Sequence, residues 1–413
     1  MIAHKFANSE YDVLLKQLYI CTQYYSYMTK AVEQYLIDKI TERKEKDAFR
    51  SFRVNGGEID FCSNDYLGFA KDPEIHHAVN EELMNGEQIQ VNGSSGARTI
   101  TGTSAAIVDL ENSLAAFHIA PAGLIYNSGY TANIGLFAAL PYRGDTVLYD
   151  ELIHASIRDG LRMGRANSYS FKHNDTADLE SRLKRAKGNV YVAVEAVYSM
   201  DGDAAPLRAV AELCEIYNAA LIVDEAHSNG IFGEVGQGKV VELGLEEKVF
   251  ARVMTFGKAL GCHGAIVLGS GFLKDFLINY SRAFIYTTAP SPHQVLTIKK
   301  AYDKLSKSKH NILKLNKLVS LFKLKLQDYS ALTVIPSLSP IQCVVIPGNR
   351  RVKAVCSQVQ LDGFDVRPIV APTVPEGKER IRICIHSDHR EEQIIGLIQS
   401  INKQLLNYDK QVS

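Results

Sequence analysis

No two of the seven cysteines, at positions 21, 62, 214, 262, 343, 356 and 384, are spaced as CxxC. An odd, scattered set argues against a disulfide framework and against a zinc knuckle, and fits a reducing cytoplasm. Surplus charge is missing too, because 46 Lys+Arg balance 46 Asp+Glu. A neutral chain lacks the electrostatic footprint of a dedicated nucleic-acid binder. No apolar run approaches the roughly 18 residues that span a bilayer. The opening MIAHKFANSEYDVLLKQL puts acidic residues where a signal peptide would carry an unbroken apolar stretch. No segment recurs at a period of roughly 20–50 residues, so a repeat architecture is excluded. These absences predict a cytoplasmic protein with no membrane span and no metal site.

What is present is enough for a large core. The chain has 413 residues, 46% of them hydrophobic and 22% charged, which suggests two or three packed regions. Residues 1–60 read as a helical segment, with a Tyr-rich stretch at 19–28, followed by a short strand in EIDF. From 61 to 293, apolar strands alternate with helix-length spacers: AGLIYNSG, DTVLYDE, NVYVAVEA, AALIVDEAH, ARVMTFGK and GAIVLGS. That pattern predicts a large α/β domain with a parallel sheet covered by helices on both faces. Residues 294–413 read as a smaller α+β domain, reached through a Lys-rich amphipathic helix over 294–327. Its strands are IQCVVIPG and RIRICIHS. Its last helix is expected to start at Asp388, with Glu391 completing a capping box, and Ile394, Ile395, Ile398, Ile401 and Leu405 are expected to make one apolar stripe.

Ligands of open parallel sheets sit beyond the carboxyl ends of the strands, so the polar residues that end these strands matter most. NVYVAVEAVYSMDGD ends in Glu195 and Ser199, AALIVDEAHSNG in Asp224 and His227, and ARVMTFGKALG in Thr255 and Lys258. A strand-end aspartate can keep a pyridine nitrogen protonated, and a lysine can form a Schiff base with an aldehyde. Pyridoxal phosphate makes those two demands of a protein.

Nine segments, in order, resemble the α-oxoamine synthases, which are pyridoxal-phosphate-dependent acyltransferases of the aspartate-aminotransferase fold (fold type I), a resemblance that implies a mostly parallel, seven-stranded sheet flanked by helices. They are FCSNDYLGFA (61–70), NGSSGARTITG (92–102), NSGYTAN (127–133), DELIHASIRDG (150–160), EAVYSMDGDAAPL (195–207), VDEAHSNGIFGEVGQG (223–238), TFGKALGCHGA (255–265), FIYTTA (284–289) and APTVPEG with RIRI (371–383). The resemblance implies that Lys258 holds the cofactor and then acts as base, while Asp224 pairs with the pyridine N–H. It implies that His227 bonds the ring's phenolic oxygen with Ser199 nearby, that His154 stacks on the ring, and that Glu195 lies in the same cofactor site. Gly129, Tyr130 and Thr255 would hold the phosphate, with Thr287 or Thr288 reaching it from a neighbouring subunit of a homodimer. Arg382 would bind the amino-acid carboxylate with Asn64 as its helper, Arg50 would lie near the acyl substrate, and Arg380 is expected in solvent.

The reaction implied is the decarboxylative joining of a small amino acid to an acyl thioester, carried by CoA or by an acyl-carrier protein. The segment VRPIVAPTVPEGKERIRI looks most like the branch that uses L-alanine and a pimeloyl thioester; other branches use glycine with acetyl-CoA, or serine with a palmitoyl thioester. Ile107 stands where the family often has a histidine. Some relatives are non-catalytic partner subunits, and the presence of Lys258 argues against that role here. GEVGQG (233–238) follows DEAH rather than closing a first βαβ unit, so it is not read as a dinucleotide fingerprint. His386 and His389 are expected at a solvated helix start, and the lysines of 299–325 on a solvated face, with docking of an acidic carrier protein as the alternative.

Overall fold

The structure is a computed structural model that describes residues 30–54, 56–85 and 92–412. The Tyr-rich stretch, Cys21 and Asn55 lie outside the described residues. The first described helix, Lys30–Glu45, stops short of Arg50. A two-residue strand, β1 (Ile59–Asp60), follows it.

The main sheet contains β2 (Ala122–Tyr126), β3 (Thr146–Asp150), β4 (Asn167–Phe171), β5 (Val190–Glu195), β6 (Ala220–Asp224), β7 (Ala251–Thr255) and β8 (Ala265–Gly269). Their spatial order is β2-β8-β7-β6-β5-β3-β4, and only β8 runs against its neighbours. This is the expected seven-stranded, mostly parallel α/β arrangement. The central strands are Val/Ile/Ala/Leu runs because helices cover both faces: Val192, Ala193, Val223 and Val253 are fully buried. The strand that the sequence pattern passed over is β4, with the polar sequence NSYSF. It lies at the sheet edge with Asn167, Ser168 and Tyr169 exposed, so it needs no apolar face.

Register places the site. Glu195 ends β5 directly opposite Asp224 at the end of β6. Thr255 ends the adjoining β7, and the turn from β7 back to β8 carries Lys258.

Behind this sheet, β9 (Thr333–Ile335), β10 (Ile341–Val345), β12 (Arg367–Ile369) and β13 (Arg380–Cys384) make an antiparallel sheet in the order β12-β13-β10-β9. The strand β11 (Phe364–Asp365) pairs instead with β1, in parallel, across some three hundred residues of chain. Phe61 extends that seam, its carbonyl accepting the Cys384 N–H at 2.8 Å. Residues 59–67 are thereby built into the C-terminal core, which brings Asn64 beside β13. Gly202, at φ +78°, lets the turn after β5 meet this second sheet: a Cβ there would lie 2.3 Å from the Ile341 carbonyl oxygen.

Two local expectations change. The 294–327 segment is two helices, Pro292–Leu305 and Lys309–Leu326. At the break the Ser306 and Ser308 hydroxyls bond the carbonyls of Asp303 and Lys304, competing with helix continuation. Its lysines face solvent as expected, but several of them are ion-paired: Lys299 and Lys300 pair with Glu82, Lys304 with Asp72 and Glu74, and Lys309 with Glu234. The last helix begins at Glu391 rather than Asp388, with the Arg390 N–H donating to Gln393 Oε1. Its predicted apolar stripe is buried as expected, Ile395 being half-buried. Six described cysteines are free. Among the described residues no helix is long and apolar enough to cross a membrane.

One buried ion pair locks the first helix of the large sheet to its edge. Glu111, 1% exposed, accepts from Arg98 at 2.8 Å, Lys274 at 2.9 Å and the Ile125 N–H at 3.0 Å. Removing the acceptor strands a buried guanidinium, so Glu111→Ala is expected to cost about 3–5 kcal/mol of stability, read as a lower midpoint in urea unfolding.

Candidate active site

The helix Gly129–Ala139 starts at the edge of the sheet's carboxyl ends, and its start is fixed by sequence. Ser128 caps the Thr131 N–H while the Thr131 hydroxyl returns to the Ser128 N–H. The N–H groups of Gly129 and Tyr130 have no acceptor inside the helix. The end presses on β7: a Cβ at position 129 would lie 2.5 Å from Thr255 Cγ2. His154 similarly caps the helix Ala155–Met163, its Nδ1 accepting from the Ser156 N–H.

These ends enclose a cavity of about 230 Å³. Asn64, Gly129, Tyr130, His154, Glu195, Asp224, His227, Thr255 and Lys258 all line it, so nine of the residues singled out in the sequence meet there. Ser199 sits just outside; its N–H donates to Glu195 Oε2 at 3.2 Å. Arg382, on β13, does not line the cavity itself but bonds its wall, donating through Nε to the Ser199 carbonyl at 2.7 Å and through Nη2 to the lining Asn64 Oδ1 at 2.9 Å. Thr287 and Thr288 do not line the cavity; they accept from Asn127 at 3.1 and 2.8 Å. Arg50 is away from it, exposed, and bonded to the Thr373 hydroxyl at 3.2 Å. Ile107 faces the core and not the cavity.

Burial, not the neighbouring carboxylates, eases loss of the amine's proton. Burial pushes Lys258 down to about 8, against the opposing charges of Asp224 and Glu195. Its Nζ lies 2.7 Å from His227 Nε2. Burial, reinforced by Lys258 and Arg382, holds His227 well below the usual imidazole range, so it is neutral. His154 is also lowered by burial, with Asp224 opposing. Glu195 is raised well above the usual carboxyl range by burial and by the charge of Asp224 beside it.

Sequence reasoning assigned no role to three residues that organise the site. Asn133 donates both amide hydrogens, to Asp224 Oδ2 at 2.8 Å and to Ser156 Oγ at 3.0 Å. Ser156 Oγ stands 2.7 Å from His154 Nδ1, so one chain of bonds joins Asp224 to His154. Tyr66 Oη lies 2.8 Å from His227 Nδ1 and donates to Asn64 Oδ1 at 3.1 Å. Asn133 is four residues after Gly129 on the same helix, a spacing that places it on the site's side, whereas Ser156 is reached through the capping turn at His154.

Two expectations about charge and exposure are overturned. Arg380 is 3% exposed and ion-paired with Asp201, because β13 turns it toward the loop after β5. His386 and His389 are also buried. His389 accepts the His386 N–H at 3.0 Å and bonds the Asp60 carbonyl at 2.9 Å. Although His386, Asp388 and His389 converge, both His389 nitrogens are committed to the backbone, so the cluster tethers β1 to the C-terminal sheet.

The residues suit pyridoxal phosphate. A buried carboxylate, a lysine with a lowered pKa and a free helix N-terminus converge on one cavity, and the buried Glu195 Oε1 and Asn133 Oδ1 in its wall lack partners.

Comparison with known proteins agrees. Residues 57–401 match the family described as aminotransferase class I and II. The chain is 39% identical over 406 residues to an 8-amino-7-oxononanoate synthase of Emericella nidulans, covering 92% of this chain and 98% of that one. It is 35% identical to the synthase of that name from Marinobacter nauticus, over 88% and 95% of the two chains. Among solved structures, Sphingomonas wittichii serine palmitoyltransferase superposes with a TM-score of 0.83 at 25% identity, over 91% of this chain and 97% of that one. An 8-amino-7-oxononanoate synthase from Francisella tularensis superposes at 0.74 and 25%, over 86% and 99%.

In cofactor-free protein, Lys258 is expected to react with an amine-arylating reagent along a pH curve with a midpoint near 8, not near 10.4 as for a free lysine. Asp224→Asn removes a charge that holds the proton on, so its midpoint should fall below 8. Mass spectrometry of the labelled peptide follows both.

Proposed function

Because the chain belongs to the aminotransferase class I and II family, and within it to the pyridoxal-phosphate-dependent acyltransferases called α-oxoamine synthases, we propose that it condenses L-alanine with a pimeloyl thioester to give 8-amino-7-oxononanoate. The α-carbon of alanine forms a bond to the acyl carbon, the thiol departs, and the alanine carboxyl leaves as carbon dioxide. Bound in the cavity, pyridoxal phosphate supplies the electron sink that makes a proton on that α-carbon removable.

The chain's own residues divide the remaining work. Lys258 would hold the cofactor, and its amine, once free, would take the α-proton and later return one. Asp224, kept in place by Asn133, would pair with the ring nitrogen, and His154, oriented through Ser156, would stack on the ring. His227, oriented by Tyr66, would bond the phenolic oxygen, with Ser199 and Glu195 nearby. Gly129, Tyr130 and Thr255 cradle the phosphate. Arg382 binds the alanine carboxylate with a planar guanidinium already aimed by Ser199 and Asn64. Arg50 serves the acyl substrate.

The active species is a homodimer. Thr287 and Thr288 lie outside their own cavity, and Tyr286 next to them is exposed, which suits delivery of these hydroxyls to a neighbour's phosphate. The acyl carrier is CoA; an acyl-carrier protein is less well supported, since Lys299, Lys300, Lys304 and Lys309 are spent on the chain's own carboxylates.

The observation that carries this reading is the convergence of Lys258, Asp224 and His154 on one cavity, with Arg382 bonded to Asn64 in its wall, together with 39% identity to a synthase of that name. The likeness in shape to serine palmitoyltransferase favours a second reading, with serine and a longer acyl chain. Both are tested by titrating the holoenzyme with L-alanine, glycine and L-serine while following its visible spectrum, then adding pimeloyl-CoA and identifying the product by mass. Alanine should be preferred by roughly 10–100-fold in kcat/KM, the discrimination that one methyl group supports. A preference for serine overturns the first reading in favour of the second. Lys258→Ala should lose at least about a thousandfold in turnover, as removal of the base requires.

A further inference from the structure

His173 lies outside the cavity and has no part in the chemistry above, yet it joins two of the loops that build the site. Its Nδ1 is 2.9 Å from Asp150 Oδ1 and its Nε2 is 2.7 Å from Asp203 Oδ2. Carboxylates only accept, so both ring nitrogens donate and the ring is an imidazolium. Burial opposes that charge, but the two carboxylates outweigh it and push His173 up to about 10. Asn174, held at φ +55°, repeats the connection: its N–H donates to Asp150 Oδ2 at 2.9 Å and its side chain to Asp203 Oδ2 at 2.8 Å.

Each carboxylate governs a loop. Asp150 ends β3, is fully buried, and caps the Leu152 N–H at 2.8 Å, shaping the turn that delivers His154. Asp203 closes the turn after β5, where its carbonyl accepts the Tyr198 N–H at 2.9 Å. That turn presents the Ser199 carbonyl to Arg382. From the other side it is gripped by the C-terminal sheet, through Arg380 on Asp201 and through Ser337 and Ser339 on the Gly202 carbonyl at 2.7 and 2.8 Å. The Tyr198 ring meets the His173 ring edge-on at 4.5 Å, filling the space between the two loops.

We propose that His173 is a positioning residue. Bonded through both ring nitrogens, it sets the distance between the loop that ends in His154 and the turn that carries Ser199, and thereby the placement of Arg382 over the reacting amino acid. The inference rests on Arg382 being the carboxylate anchor. It predicts that loosening the bridge harms the amino-acid half of the reaction and the surroundings of the cofactor ring, while the acyl half is spared.

The test compares wild type with His173→Gln and Asp203→Asn, as full-length, cofactor-loaded enzymes. Glutamine at 173 cannot donate to both carboxylates in the imidazolium geometry, whereas Asp203→Asn weakens one end of the bridge and leaves the bond from His173 to Asp150 intact. In both variants the KM for the amino acid should rise, about tenfold or more in His173→Gln and less in Asp203→Asn, since displacements near 1 Å at a reacting centre have effects of this size. The KM for the acyl thioester should stay within about twofold. The visible circular dichroism of the bound cofactor should change in both, reporting a shifted His154. An unaltered amino-acid KM and an unaltered dichroism overturn the proposal, even if the melting temperature falls, because that pattern belongs to a purely structural contact. Should His173→Gln fail to fold, Asp203→Asn decides alone. Should wild type turn over none of the amino acids, the substrate reading fails by itself and the dichroism still judges His173.

Discussion

A buried lysine amine can stay neutral enough to react only if its surroundings neither solvate it fully nor pair it with a bare carboxylate. Here two carboxylates, Glu195 and Asp224, stand opposite each other at the ends of neighbouring parallel strands, within the field of Lys258. Were both ionised, they would hold the proton on the lysine. Burial and the neighbouring Asp224 push Glu195 well above the usual carboxyl range, which weakens its hold on the lysine proton, while Asn133 fixes Asp224 in place. Burial then prevails at the lysine, which falls to about 8. The other site residues are arranged around this balance.

Parallel register makes the balance possible. In adjacent parallel strands the last residues emerge side by side, so sequence positions far apart become a single polar edge over an apolar sheet. The hairpin from β7 to β8 then folds Lys258 back over that edge. The helix starts at Gly129 and Ala155 face the same space, giving it unpaired N–H groups and the capping residue His154. Stability and function are coupled here, since the apolar strands that fill the core set the spacing of the charges.

How much of this could be read from the chain alone follows from the range of each interaction. Strand ends are local, so Glu195, Asp224, Thr255 and Lys258 stood out against the apolar runs preceding them, and His154 and Gly129 through their motifs. Edge strand β4 was hidden because a polar strand at an exposed edge carries no apolar signal. Arg380 and His386 read as surface residues because their partners, Asp201 and the Ser63 carbonyl, lie far away in sequence. The same holds for Tyr66 with His227 and for His173 with Asp150 and Asp203: polar groups that are buried only by tertiary contacts show no periodicity. The break at 306–308 was invisible to an amphipathic pattern that continues through it, and depended on two serine side chains.

The account rests on Lys258 being the amine that receives the cofactor. The direct measurement is to load the purified protein with pyridoxal phosphate, reduce it with borohydride so that the cofactor is fixed to the amine holding it, and map the modified peptide by mass spectrometry. The account predicts a single phosphopyridoxyl group, on Lys258, in the peptide containing TFGKALG. A label on another lysine, or no label after saturation with cofactor, would contradict it.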